Sequence, residues 1–82
     1  MSPGLRRLYV PRPVKVEANQ AGEPTSVDGV AVEALREEWV VEDRWWTRQP
    51  LGRHYFELAL ADGRNLVVFR SIVSRRWYRQ RG

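Results

Sequence analysis

A single imidazole, that of His54, is the one side chain in the sequence that ordinarily titrates near neutral pH. The chain has no Cys and no second His, so neither a zinc triad nor a thiol nucleophile can be assembled. The acidic pairs Glu37-Glu38 and Glu42-Asp43 are neighbours in sequence, and neighbouring side chains of a strand point to opposite faces. The residues therefore predict a protein that is not an enzyme and that holds no metal and no cofactor.

A tryptophan pair flanked by arginines is the first candidate contact surface. Only one ring of such a pair enters a single core easily, so the other is either covered by the N-terminal residues or exposed to a partner. Trp and Arg are the residue types most enriched at interface hot spots. We therefore expect a protein partner to be bound by Arg44, Trp45, Trp46 and Arg48.

A run of cations and rings near the C-terminus is the second candidate. Cations neutralise phosphates and rings stack on unpaired bases, so the run is typical of weak, sequence-tolerant binding of single-stranded DNA or RNA. Its residues are Arg75, Arg76, Trp77, Tyr78 and Arg79. The other interpretation, which we favour, is that Trp77 packs into the core while the arginines solvate an edge strand and prevent edge-to-edge association.

Charge is segregated along the chain, which has a net charge of +4. Residues 1–16 sum to +4, residues 17–43 to −7 and residues 44–82 to +7. This pattern predicts a dipolar surface with separate faces for an anionic and a basic partner. The alternative is that strands pair across the blocks and neutralise each other.

The 82 residues suffice for one domain, which at this size buries only about 60–65% of its unfolded surface. Residues 1–13 contain Pro3, Gly4, Pro11 and Pro13, which predicts an extended arm. A single β domain is expected over residues 14–82. No apolar stretch is long enough for a signal peptide or a membrane span, so we expect a cytoplasmic protein without membrane contact.

Three hairpin signals organise the domain. Val14–Ala18 alternates apolar and polar residues and is followed by turn residues, and Asp28-Gly29 suits a type I′ turn. The third signal is Asp62-Gly63 between two aromatic-rich runs. A two-residue turn there pairs Leu58 with Val67 and Phe56 with Phe69 on the core face.

Residues 32–46 fit two patterns, of which we favour a strand bent near Arg36 to Glu38 over a short helix. Residues 77–80 are expected to form an edge strand. Together these elements predict a mainly β fold, a small, strongly bent antiparallel sheet or open barrel of about five to seven strands.

The order of the short motifs resembles a known kind of domain. The motifs are Gly22-Glu23-Pro24-Thr25, Asp28-Gly29, Trp45-Trp46, Arg53-His54-Tyr55-Phe56, Ala61-Asp62-Gly63-Arg64 and Trp77-Tyr78. Over residues 14–80 they resemble a small Trp-rich bacterial domain similar to the C-terminal segment of ImuB-type proteins, the inactive Y-family polymerase relatives of translesion synthesis. The resemblance implies an accessory role in DNA damage tolerance, through contact with polymerase-associated subunits or with the template, and it supplies no catalytic residues. These relatives tend to end in an aromatic-acidic pair, whereas this chain ends in Gln80-Arg81-Gly82, so the resemblance does not extend to the tail.

Overall fold

The described part of the chain, residues 11–43 and 51–80 of a computed structural model, consists of strands and their connections. Seven antiparallel strands form one strongly curled, open half-barrel sheet in the order β1-β7-β6-β5-β4-β3-β2, which confirms the predicted fold class. The strands are β1 Arg12–Pro13, β2 Val16–Ala18, β3 Pro24–Val27, β4 Val30–Asp43, β5 Leu51–Leu60, β6 Asn65–Ser71 and β7 Trp77–Gln80.

Residues 12–18 connect the two ends of the sheet. Arg12 and Pro13, the last residues of the predicted arm, pair with β7, and a few residues later Val16 pairs with Val27 of β3. The Val14 N–H also donates to the Trp77 carbonyl at 3.2 Å. Since β7 has β6 on one side and β1 on the other, the expectation that it would be an edge strand is wrong.

The first two hairpins follow the predicted turns. Asp28 and Gly29 both have positive φ, 49° and 84°, as a type I′ turn requires, and they place Val27 opposite Val30. The Asp28 side chain accepts a hydrogen bond from the Lys15 N–H at 3.1 Å, which fastens this turn to the segment before β2.

The third hairpin has a different turn from the predicted one. Gly63 has a φ of 92°, whereas Asp62 is not among the residues of positive φ, and the Leu60 N–H donates to the Arg64 carbonyl at 2.8 Å. The loop therefore has three residues, 61–63, with glycine in the left-handed position. The Arg64 N–H donates to the Asp62 carboxylate at 3.1 Å, and this bond, helped by the Arg64 guanidinium, lowers the pKa of Asp62.

The longer loop moves the β5–β6 register by one residue. Leu58 lies opposite Leu66 and Phe56 opposite Val68, so the predicted pairs with Val67 and Phe69 are wrong. A one-residue slip carries every side chain of a strand to the other face. The predicted core residues of β5 are thus correct, whereas on β6 the core face carries Leu66 and Val68 instead of Val67 and Phe69.

One face of the sheet, which we call the inner face, carries the core. Its buried side chains come mainly from β5 and β6, with one from β3, and they are Val27, Phe56, Leu58, Leu60, Leu66 and Val68. Partly buried residues of the curled ends pack against them, namely Val14, Val16, Val30, Val32, Leu35 and Trp77. The sheet curls around this cluster and leaves its other side, the outer face, for other contacts.

Strand β4 settles the ambiguity over residues 32–46 as far as Asp43. It is a strand rather than a helix, and its register with β5 shifts between Val32 and Ala34 and again between Leu35 and Glu37. Such shifts bend a strand locally, in agreement with the bend predicted near Arg36 to Glu38. From Glu37 to Asp43 the pairing with β5 runs without interruption.

Candidate functional site

A row of rings crosses the outer face of the sheet. Each member lies directly opposite the next in the strand register: Trp39 of β4 opposite Tyr55, Tyr55 opposite Phe69, and Phe69 opposite Tyr78. Pro13 of β1 stands opposite Tyr78 at the far end. We call Trp39, Tyr55, Phe69 and Tyr78 the outer aromatic row.

The rings of this row are in contact. Trp39 and Tyr55 are parallel with centroids 5.2 Å apart, Tyr55 and Phe69 are tilted at 5.1 Å, and Phe69 and Tyr78 are stacked at 5.3 Å. These separations fall in the range that favours aromatic pairs beyond simple burial. The row therefore forms a second apolar layer, which holds four neighbouring strands together from outside.

An arginine covers the middle of the row. The Arg53 guanidinium lies over the Phe69 ring, 4.4 Å from its centroid, and donates to the Tyr55 hydroxyl at 3.2 Å. A guanidinium over a ring face is held by the quadrupole of the ring as well as by contact. Phe69 is consequently only 2% exposed, Tyr55 and Tyr78 are half-buried, and Trp39, at the β4 end, is the most exposed ring of the row.

Over most of its length, the outer edge of β4 has no partner strand among the described residues. Its neighbour β3 pairs with it only at Val30 and Ala31, and no described residue pairs with the outer side of β4 from Val32 to Asp43. In a strand of this kind, alternate N–H and C=O groups point away from the paired neighbour. The uninterrupted stretch from Glu37 to Asp43, which we call the free edge, therefore carries a regular series of backbone groups that no described strand pairs with.

The centre of this edge is apolar. Trp39, Val40 and Val41 are 37%, 54% and 39% exposed, although they are consecutive residues of a strand whose side chains alternate between the two faces. Proteins usually protect a free edge with charge, and here charge is confined to the flanks. The flanking acids are Glu37, Glu38, Glu42 and Asp43.

On the inner face the same end of β4 carries a hydrogen bond between a histidine and a carboxylate. The His54 Nε2 lies 2.9 Å from the Glu38 carboxylate, and the His54 ring stacks on Phe56 at 4.3 Å between centroids. The contact with Phe56 packs the His54 ring against the core. Within residues 11–43 and 51–80 there is no cluster of three or more side chains suited to a metal ion.

The predicted nucleic-acid-binding residues are divided between the two faces. Trp77 is half-buried on the inner side, 5.5 Å from Phe56, and packs against the core as in the interpretation that we favoured. Tyr78 belongs to the outer aromatic row. The arginines Arg75, Arg76 and Arg79 are exposed, the first two in the connection between β6 and β7.

The predicted protein-binding residues, Arg44, Trp45, Trp46 and Arg48, lie outside the described residues, in the segment that joins β4 to β5. The free edge begins just before them in sequence and was not predicted. A signal for it was present in the sequence, where an uncharged triplet over residues 39–41 interrupts a strongly acidic stretch.

Charge is segregated in the fold as well. The acidic stretch of β4 and the arginines of β7 lie on strands separated by β5 and β6. Between described residues there is one salt bridge of an arginine, Arg64–Asp62, and it lies within residues 44–82, so no arginine of that block is paired with an acid of residues 17–43. This arrangement favours the dipolar alternative over neutralisation by pairing across strands.

The described part of the chain contains no helix with the length and apolar character needed to cross a membrane. Comparison of the chain with protein-family models, with curated proteins and with solved structures gave no significant match.

Proposed function

We propose that this chain is a non-catalytic adaptor that binds a protein partner at the outer edge of β4. The observation that carries the proposal is the free edge from Glu37 to Asp43, which contains neither a bulge nor a proline and exposes three apolar residues at its centre. A partner segment in extended conformation can pair with such an edge through its backbone, while the side chains on each face give specificity.

Burial of Trp39 would supply much of the affinity. Its ring is held on one side by the parallel contact with Tyr55, so little conformational freedom remains to be lost on binding. Rigid aromatic side chains of this kind are the usual hot spots of interfaces. Val40 and Val41 extend the apolar contact to both faces of the added strand.

The resemblance to the C-terminal segment of ImuB-type proteins supports a partner from bacterial translesion DNA synthesis. We therefore propose a polymerase-associated subunit as the partner and the cytoplasm as the compartment. The motifs that carry the resemblance surround the free edge in sequence, with Trp45-Trp46 after it and Arg53-His54-Tyr55-Phe56 on the strand that pairs with it.

The test is substitution of the exposed ring. We expect Trp39→Ser to weaken binding to purified translesion polymerase subunits by about 2 kcal/mol or more, the usual threshold for a hot spot, as measured by calorimetric titration. Val73→Ser is the matched control, because Val73 is 72% exposed in the β6–β7 connection, and β5 lies between β6 and the strand that carries this edge. Equal binding by both folded variants would refute the proposal.

A second candidate function, weak binding of single-stranded DNA or RNA, is favoured by one observation. Arg12 lies directly opposite Arg79 in the register, and both are exposed. Like charges in opposite positions destabilise a strand pair, and a phosphate between them would relieve the repulsion.

Salt dependence tests this candidate. If a labelled thymidine oligonucleotide binds, Arg79→Ala should reduce the log-log salt slope by about 0.7, the value for one phosphate contact on a single strand. Arg64→Ala is the control, since Arg64 is engaged by Asp62 in the β5–β6 turn. Absence of oligonucleotide binding at low salt would exclude this function.

A further inference from the structure

We infer that the partner segment is a basic extended peptide that places an aromatic side chain opposite Trp39. The inference rests on the proposed function and names the chemistry of the ligand at the same edge. It follows from two features of β4, the continuation of the outer aromatic row and the charge of the flanks.

The outer aromatic row indicates that the partner has an aromatic side chain opposite Trp39. On each of four adjacent strands the residue at this level is aromatic, and each lies directly opposite the next. A strand added to β4 puts one of its own side chains directly opposite Trp39, on the face of the ring that is turned away from Tyr55. An aromatic side chain there continues the row with the parallel geometry that Trp39 and Tyr55 already have.

The acids on either side of residues 39–41 indicate that the partner carries basic residues. Between Glu33 and Asp43 the strand carries five acids and one arginine, and the acids at 37, 38 and 42 are exposed. An antiparallel strand aligned on Trp39 meets Glu37 on the outer face and Glu38 and Glu42 on the inner face. Lysine or arginine at those three positions, with apolar residues opposite Val40 and Val41, complements the edge.

The same charges argue against a second copy of the chain. Antiparallel pairing of two β4 strands centred on Val40 would set Glu38 opposite Glu42 and Glu37 opposite Asp43. Like charges in these positions oppose association. A register centred on Trp39 avoids these pairs but still brings together two edges of net negative charge.

The probe is a synthetic peptide with the predicted order of side chains, acetyl-Gly-Lys-Val-Val-Tyr-Lys-Lys-Gly-amide, labelled with a fluorophore. Binding to the full chain is followed by polarisation. Replacing the peptide's Tyr by Ala, or Trp39 by Ala in the protein, should each weaken binding about tenfold, which corresponds to loss of one good aromatic contact with its buried area. Val73→Ala should leave the affinity unchanged.

Charge and backbone are tested separately. Glu42→Lys should weaken binding of the lysine peptide, and a peptide with Glu in place of its first Lys should bind this variant better than the original chain. Two further peptides are N-methylated, one at its odd-numbered residues and the other at its even-numbered residues. One of them should fail to bind and the other should still bind, because only alternate N–H groups of an added strand face the edge. Far-ultraviolet circular dichroism shows that the variants are folded.

Several outcomes would overturn the inference. If a peptide with Glu in place of all three Lys residues binds as tightly as the probe, the partner need not be basic. If both N-methylated peptides bind equally, the partner does not add as a strand. A dimer in sedimentation that Trp39→Ala dissociates would make a second copy the occupant. Gain of peptide binding in an Arg6→Glu, Arg7→Glu variant would make the chain's own N-terminal segment the occupant.

The inference and the proposed function can fail independently. If a polymerase subunit binds in a Trp39-dependent manner while the basic peptide does not bind, the ligand chemistry is wrong and the protein-binding function stands. If the peptide binds as described and every polymerase subunit fails to bind, the translesion partner is wrong and the chemistry of the edge stands.

Discussion

Substitution of Phe56 by alanine is expected to lower the free energy of unfolding by about 3–5 kcal/mol. Phe56 is 2% exposed at the centre of the inner face, where His54 stacks on it and Trp77 leans against it. The total stability of a domain of this size is about 4–12 kcal/mol, so this one cavity removes a large part of it. Urea denaturation followed by tryptophan fluorescence measures the change.

The control for Phe56→Ala is Val73→Ala, which removes apolar atoms from an exposed position and should change stability by less than about 0.5 kcal/mol. The midpoint should shift for Phe56→Ala without a large change in slope, because the surface exposed on unfolding is nearly the same. A loss below about 1 kcal/mol would mean that Phe56 does not occupy the core.

The second large effect is expected at Phe69, on the other face. Phe69→Ala should also cost about 3–5 kcal/mol, since the ring is almost fully buried beneath Arg53. In double-mutant cycles Phe69 should couple to Tyr55, its partner in the register, by about 0.5–1.5 kcal/mol. Coupling to Phe56 should be near zero, because the two rings lie on opposite faces of the sheet.

These cycles decide between the two registers of the β5–β6 hairpin. A two-residue turn makes Phe56 and Phe69 direct partners on one face, and their coupling would then exceed that of Phe69 with Tyr55. Leucine substitutions at both positions give the same comparison with smaller losses, should the alanine variants be too unstable to measure. The larger coupling energy identifies the register.

Much of the fold could be predicted from local signals. Alternation of side chains and the Asp28-Gly29 turn identified the first hairpins, because both central residues of a type I′ turn need positive φ and this dipeptide tolerates it. Asp62-Gly63 carried the same signal and was misleading. The dipeptide is equally compatible with a three-residue loop in which only glycine has positive φ, and local sequence does not distinguish the two.

The candidate site was harder to predict because it depends on which strand lacks a neighbour. Trp39 could be placed on a strand from its alternation with Val41, but its exposure follows from the short pairing of β3 with β4, which no local pattern encodes. The outer aromatic row depends on the registers of four strands. The one-residue error in the predicted β5–β6 register put Phe69 on the core face, so the row could not be recognised. The packing of Trp77 could be inferred, since a large ring in a small domain is more useful in the core than in solvent.

The connection of both ends of the sheet by residues 12–18 has a consequence for synthesis of the chain. The β1 strand pairs with β7, which follows the other six described strands in sequence, so this contact can form only after all of those strands have been synthesised. Closing so long a loop is slow compared with zipping the hairpins between them. During translation β1 therefore stays without its β7 partner until residues 77–80 have emerged from the ribosome.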